Sequence, residues 1–251
     1  MNLLREKAKR AVIGTRWEGP IKWAHFTLTR TKNSLYDYQT IRLMRRVLRP
    51  DSVAIDIGAF QGGMLRHLFR LAPRGRHVAF EPLPEGARRL QLAFPRAQVH
   101  ACALGDATGQ ATFFEGLEHP ALSGLRHRAK DLPDEPVREI QVPIDTLDRR
   151  IPADLSIAFV KVDVEGGELA VFRGGIETLK RNRPVIVFEC GLGGADYFGA
   201  TPQDLFDLLT GEVGLQISLL GDWLAGRQPL SRDGFVDQFE NRLNFYFVAH
   251  P

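Results

Sequence analysis

Short runs of unbroken apolar residues alternate along this chain with segments whose apolar residues recur at helical spacing, and this alternation most narrows the folds open to it. Ser52 to Asp56, His77 to Phe80, Ile157 to Val162 and Pro184 to Glu189 are too short and too evenly apolar for surface helices and read as strands. Between them, Met64 to Leu71, Pro84 to Phe94 and about Glu168 to Lys180 carry a helical stripe, the first with Met64, Leu65, Leu68, Phe69 and Leu71 on one side. Parallel strands need such crossovers, so the pattern predicts an α/β chain with a doubly wound, mostly parallel sheet.

The same reading places a helix at Tyr38 to Leu48, strands at Gln98 to Ala103, Ala111 to Phe114 and Ile140 to Ile144, and a short helix at Asp145 to Arg150. Thr201-Pro202 with Asp204 opens a helix through Leu209. Leu215 to Leu220 and Asn244 to Ala249 are the last strands and are expected to close the sheet antiparallel. Gly116 to Pro136 is the one long irregular stretch and reads as a mobile surface loop of the kind that often carries substrate contacts.

At 251 residues, the chain fits one large domain, residues 51 to 251, behind a basic helical extension, residues 1 to 50. The extension holds 12 Lys and Arg against 3 Asp and Glu, whereas the remainder holds 21 against 27. Arg5, Lys7, Lys9, Arg10 and Arg16 read as a solvated helix face. An acidic main body without interleaved basic and aromatic stretches argues against a nucleic-acid partner. Cys102 and Cys190 sit in or beside apolar segments, as reduced buried thiols do, and no spacing of Cys and His suggests zinc. No transmembrane run and no signal-peptide core are present, so a cytoplasmic location is expected. Nothing in the sequence sets an oligomeric state.

Val53 to Gly62 puts Asp56 at a strand end and Gly58 and Gly62 across the next turn, a geometry that lets backbone approach a ligand. The spacing is Asp-x-Gly-x-x-x-Gly rather than the three-glycine phosphate loop, which counts against a nicotinamide-dependent oxidoreductase. Glu81 ends the next strand, within Val78-Ala-Phe-Glu-Pro82, where a carboxylate can hold both hydroxyls of a ribose. Each motif alone also fits a tight turn or a helix cap. Their order at neighbouring strand ends points to a nucleoside site.

Six blocks in this order resemble the FkbM family of methyltransferases: Asp56 to Gly62; Phe80-Glu81-Pro82; Ala103-Leu104-Gly105-Asp106; Thr146-Leu147-Asp148; Lys161 to Glu168; and Arg183-Pro184 leading to Glu189. The likeness covers about Ser52 to Cys190, with Phe60 where the family usually has Asn and Gly105 where it usually has Ser or Thr. It implies a class I, Rossmann-like methyltransferase domain with S-adenosylmethionine as cofactor. By position, Asp56, Gly58 and Gly62 would cradle the methionine half, Glu81 would hold the ribose, Ala103 and Leu104 would lie by the adenine, and Ala59, Phe60 and Pro82 would also belong to the cofactor site. A cationic sulfonium and ammonium suit a cleft lined with acids.

Asp163, Glu165 and Glu189 are the candidate catalytic residues, expected at strand ends facing the same crevice. Methyl transfer is an in-line displacement, so alignment supplies much of the acceleration, and a hydroxyl acceptor must also lose a proton to a base such as one of these carboxylates. Family likeness implies a hydroxyl on a small-molecule or glycosyl acceptor. Glu165 and Glu168 have an alternative role as helix caps, and His119 and His127 are alternative bases on the long loop. A non-catalytic module that binds S-adenosylmethionine is the rival reading.

Overall fold

The computed structural model describes residues 31–128 and 134–251, so the basic stretch Arg5 to Arg16 lies outside the described residues. In chain order the main elements are α1 (Lys32–Val47), β1 (Val53–Ile57), α2 (Gly63–Leu71), β2 (Val78–Phe80), α3 (Pro84–Ala93), β3 (Gln98–His100), β4 (Ala103–Leu104) and β5 (Gly109–Gly116). There follow β6 (Val137–Asp145), α4 (Leu147–Arg150), β7 (Ile157–Val162), α5 (Glu168–Arg173), α6 (Ile176–Asn182), β8 (Val185–Glu189), α7 (Pro202–Asp207), β9 (Gln216–Leu219), α8 (Leu220–Ala225), α9 (Arg232–Glu240) and β10 (Tyr246–His250).

Seven strands form one twisted sheet in the order β3, β2, β1, β7, β8, β10, β9. β1, β2, β3, β7 and β8 pair in parallel, and β10 runs antiparallel between β8 and β9. The doubly wound, mostly parallel architecture expected from the alternation is therefore present, with its final strand reversed. Strand order switches direction between β1 and β7, which opens a crevice at their carboxyl ends.

Period-two alternation buries both faces. Ala54, Phe159, Val187 and Val248 pack on α1, α2, α3 and α8, while Ile55, Val160, Ile186, Phe188 and Phe247 pack on the opposite helices. Each such large side chain, fully buried, contributes about 1.5–3 kcal/mol. α1 starts at Lys32, six residues before the sequence expectation, and buries Tyr36, Ile41, Leu43 and Met44. Residues 32–47 therefore share the domain's core rather than forming a separate extension.

Three expectations are corrected. The strand read as Gln98 to Ala103 breaks at Cys102, its front half joining the main sheet and Ala103–Leu104 joining a second one. That second sheet, ordered β4, β6, β5, closes over a small core of Leu83, Ala103, Phe113 and Val142. The helix read as Glu168 to Lys180 is two helices, α5 and α6, broken at Gly174-Gly175. The described part of Gly116 to Pro136 is packed and not merely a surface loop: Gly124 pairs with Phe114, and Pro120–Leu122 forms a 3-10 turn that lines the main cleft.

Candidate active site

The cleft at the switch point has a volume of about 580 Å³ and lies between the carboxyl ends of β1, β2, β7 and β8 and the small sheet. Gly58, Phe60, Glu81, Pro82, Ala103, Leu104, Asp163, Glu165 and Glu189 line it. Three of the expected residues do not: Asp56, Ala59 and Gly62 shape the first loop from behind. A Cβ on Gly62 would strike Phe94 and Leu90, so this glycine serves helix packing and the turn. Gly58 borders the cleft, but its φ of +77° and the Asp163 carbonyl, 1.8 Å from where a Cβ would sit, show that its missing side chain makes room for β7.

Glu81 is 5% exposed and pinned at both oxygens: the Phe60 N–H donates to Oε2 at 2.8 Å and the Leu83 N–H to Oε1 at 3.1 Å. Burial pushes its pKa up to about 7, against the two amides. To make its bond, Phe60 adopts a left-handed φ of +47°, where Asn is far better tolerated than a bulky aromatic.

Alternation along the strands sends Asp56, Lys161, Glu189 and Tyr246 toward one face of the sheet, and pairing sets Asp56 beside Lys161 and Tyr246 beside Glu189. Asp56 is 1% exposed, and neither oxygen has a hydrogen-bond partner among the described residues. Burial, reinforced by the Asp163 charge and opposed by Lys161, raises it to about 6; the Leu65 amide also opposes the rise without meeting hydrogen-bond geometry. Lys161 Nζ donates to Asp163 Oδ2 at 2.8 Å, and the Tyr246 hydroxyl donates to the same oxygen at 2.6 Å. Burial opposes the Asp163 charge, yet Lys161, Glu189 and Tyr246 together hold Asp163 ionised. Glu189 moves the other way: burial first, then the Asp163 charge, keeps its carboxyl protonated.

Glu165 stands in the left-handed region, φ +58°, and its Oε2 accepts from Arg128 Nη1 at 2.5 Å. Burial and the Asp163 charge raise its pKa to about 8, with Arg128 pulling against them. Asp163, Glu165 and Glu189 converge, one carboxylate oxygen of each within 4.8 Å of the others. Glu168 is a structural member: its Oε1 accepts from the Val164 and Gly166 amides and fixes the loop that carries Glu165. Thr146 and Asp148 are structural too, Thr146 accepting from the Arg149 amide and Asp148 from the Glu177 and Thr178 amides at the start of α6. His119 bonds to Glu135 and His127 stacks on Phe114, and neither lines the main cleft.

Of the cleft residues that the sequence motifs did not mark, four build the wall around the acids. Tyr246 grips Asp163; Tyr36 from α1 stacks on Tyr246 at 5.3 Å; Phe245 stands edge-on to Tyr36 at 4.9 Å; and Arg128 reaches in from the long loop. The aromatic run Phe245-Tyr246 at a strand start was the available signal. Nothing local marked Arg128.

These side chains fit a cationic nucleoside. Asp56 is an orphaned buried carboxylate, and Glu81 spends one lone pair of each oxygen on the backbone and keeps the rest for hydroxyls.

Residues 56–216 match the model of the methyltransferase FkbM domain. The chain is 30% identical over 150 residues to the 2-O-methyltransferase NoeI of Sinorhizobium fredii, covering 54% of this chain and 62% of NoeI. It is 37% identical over 87 residues to the AMB antimetabolite synthetase AmbE of Pseudomonas aeruginosa, covering 33% of this chain and 4% of AmbE. The chain thus spans less than two thirds of either curated relative. Among solved structures, methyltransferase FkbM from Methylobacillus flagellatus superposes with a TM-score of 0.53 at 19% identity, over 90% of this chain and 52% of that one. No helix among the described residues is long and apolar enough to cross a membrane. The match over residues 56–216, which spans most of the class I domain, makes this chain a member of the FkbM methyltransferase family, with S-adenosylmethionine as its cofactor.

Proposed function

We propose that the protein transfers the methyl group of S-adenosylmethionine to a hydroxyl oxygen of a small-molecule or glycosyl acceptor. The observation that carries this reading is the convergence of Asp163, Glu165 and Glu189 beside the cofactor cleft, with Asp163 held ionised, Glu189 held protonated and Glu165 raised toward neutral pH. The resemblance to NoeI, named a 2-O-methyltransferase, supports oxygen as the acceptor atom.

S-adenosylmethionine supplies an electrophilic methyl: its sulfur–carbon bond breaks as an oxygen–carbon bond forms. The chain's residues do the rest. Glu81 accepts hydrogen bonds from both ribose hydroxyls, and Pro82, Ala103 and Leu104 line the nucleoside end. The loop Asp56, Gly58, Ala59, Phe60 and Gly62 sets the wall for the methionine half, with the Asp56 charge behind it. Glu165 takes the acceptor's hydroxyl proton, its raised pKa matching the task near neutral pH. Glu189, whose proton faces Asp163, and Asp163, clamped by Lys161 and Tyr246, form the fixed wall against which the acceptor hydroxyl is aligned.

The test supplies labelled S-adenosylmethionine with panels of sugars, polyketides and lipids bearing hydroxyls, and identifies the product's methyl ether by NMR. Glu165→Gln should lower kcat about 10²–10⁴-fold while S-adenosylhomocysteine binds unchanged. Methylation at nitrogen or carbon, or full turnover in that variant, would refute the assignment.

A further inference from the structure

A second chamber, of about 290 Å³, lies behind the Arg128–Glu165 ion pair and shares Arg128, Glu165, Glu189 and Phe245 with the cofactor cleft. Its outer wall carries Phe239, Arg242, Asn244 and the glycine-rich turn after β8. The chamber is small for a ligand site and suits something the size of one sugar ring.

Its charges do not balance. Glu165 is matched by Arg128, and Glu189 holds its own proton. Arg242 has no ionic partner among the described residues; its left-handed φ of +52° belongs to the turn that ends α9, where its N–H donates to the Phe239 carbonyl and the Leu243 N–H to that of Gln238. Arg128 gives Nη1 to Glu165, but its Nε–H is buried with no acceptor. A desolvated guanidinium donor without a partner is expensive, and a ligand oxygen relieves that cost. Lys32 Nζ, bonded to the Arg242 and Leu243 carbonyls, adds a further positive charge beside Arg242. Asn244 is already engaged by Tyr36 and Gln238, so the unmet capacity in this wall is cationic.

Building on the methyltransferase reading, we propose that this second chamber is the acceptor seat and that its acceptors carry an oxyanion, a carboxylate or phosphate, held by Arg242 and the free Nε–H of Arg128. The oxyanion docks on the outer wall, and the ring's hydroxyl faces the junction where Glu165 and Glu189 meet the cofactor cleft. Arg128 keeps Glu165 in place throughout, because the two contacts use different nitrogens.

The test titrates D-glucuronate, glucose 6-phosphate and neutral glucose into the protein by calorimetry, with and without S-adenosylhomocysteine. At least one of the two anionic sugars should bind about tenfold or more tightly than glucose, a difference of about 1.4 kcal/mol, and which one wins distinguishes carboxylate from phosphate. Arg242→Gln, an exposed position whose replacement leaves the core untouched, should abolish that preference while S-adenosylhomocysteine binds as before, and Arg242→Lys should restore part of it. Equal affinity for charged and neutral sugars, no binding of any of the three, or a preference that survives Arg242→Gln would overturn the proposal. Failure of S-adenosylhomocysteine to bind would instead strike the cofactor assignment, and the sugar titrations without it would still decide this one.

Discussion

Glu81 is the side chain on which the proposed ribose site rests. Its carboxylate is fixed by two amides from two different loops, so in that role it would need no reorganisation. Two hydrogen bonds to a charged acceptor are worth about 1.5–3 kcal/mol each, so Glu81→Ala should weaken S-adenosylhomocysteine binding about 100-fold or more by calorimetry. Unchanged affinity would remove the ribose role. Its position was legible in the sequence because it closes the short apolar run of the second strand, directly before Pro82. Tyr36, Tyr246 and Arg128 were not: 210 positions separate the two tyrosines, and only the sheet's closure stacks them. Arg128 becomes meaningful only once its loop folds over Glu165.

At the scale of elements, apolar runs identified the parallel strands because burial on both faces leaves a dense local signature, as in Ile157–Val162 and Val185–Glu189. What was misread depended on contacts distant in sequence. Gly174 interrupts an otherwise continuous helical stripe, and the reason lies in another element: a Cβ there would sit 1.9 Å from the Gly105 carbonyl. Gly174→Ala should therefore destabilise the protein by about 1–3 kcal/mol, despite alanine's better helix propensity, and a stabilised variant in denaturant titration would contradict that packing. The Gln98 to Ala103 run broke for a related reason. Its front half follows β2 while Ala103 pairs with Ile144 of the small sheet, a partition that no local pattern encodes.

Across the whole molecule, the cleft gathers carboxyls whose burial raises them together: Asp56 to about 6, Glu81 and Glu168 to about 7, Glu165 to about 8. A carboxyl with a raised folded pKa binds its proton more tightly folded than unfolded. Its contribution to stability is full below the unfolded value and is lost as pH climbs through the folded one, so the ligand-free protein should weaken between about pH 4 and pH 8. A cationic ligand reverses the preference and favours the ionised carboxylates. Binding of S-adenosylmethionine near pH 6 should therefore release protons, measured by calorimetry in buffers of different ionisation enthalpy, and net proton uptake would contradict this electrostatic picture. The central claim is that Glu81 and the Asp56 loop hold the nucleoside at the switch point. A crystal structure with S-adenosylhomocysteine bound tests it most directly. It should show both ribose hydroxyls on the Glu81 carboxylate and the sulfur facing the Asp163, Glu165 and Glu189 cluster; a ligand seated elsewhere, or a ribose that leaves Glu81 untouched, would contradict the account.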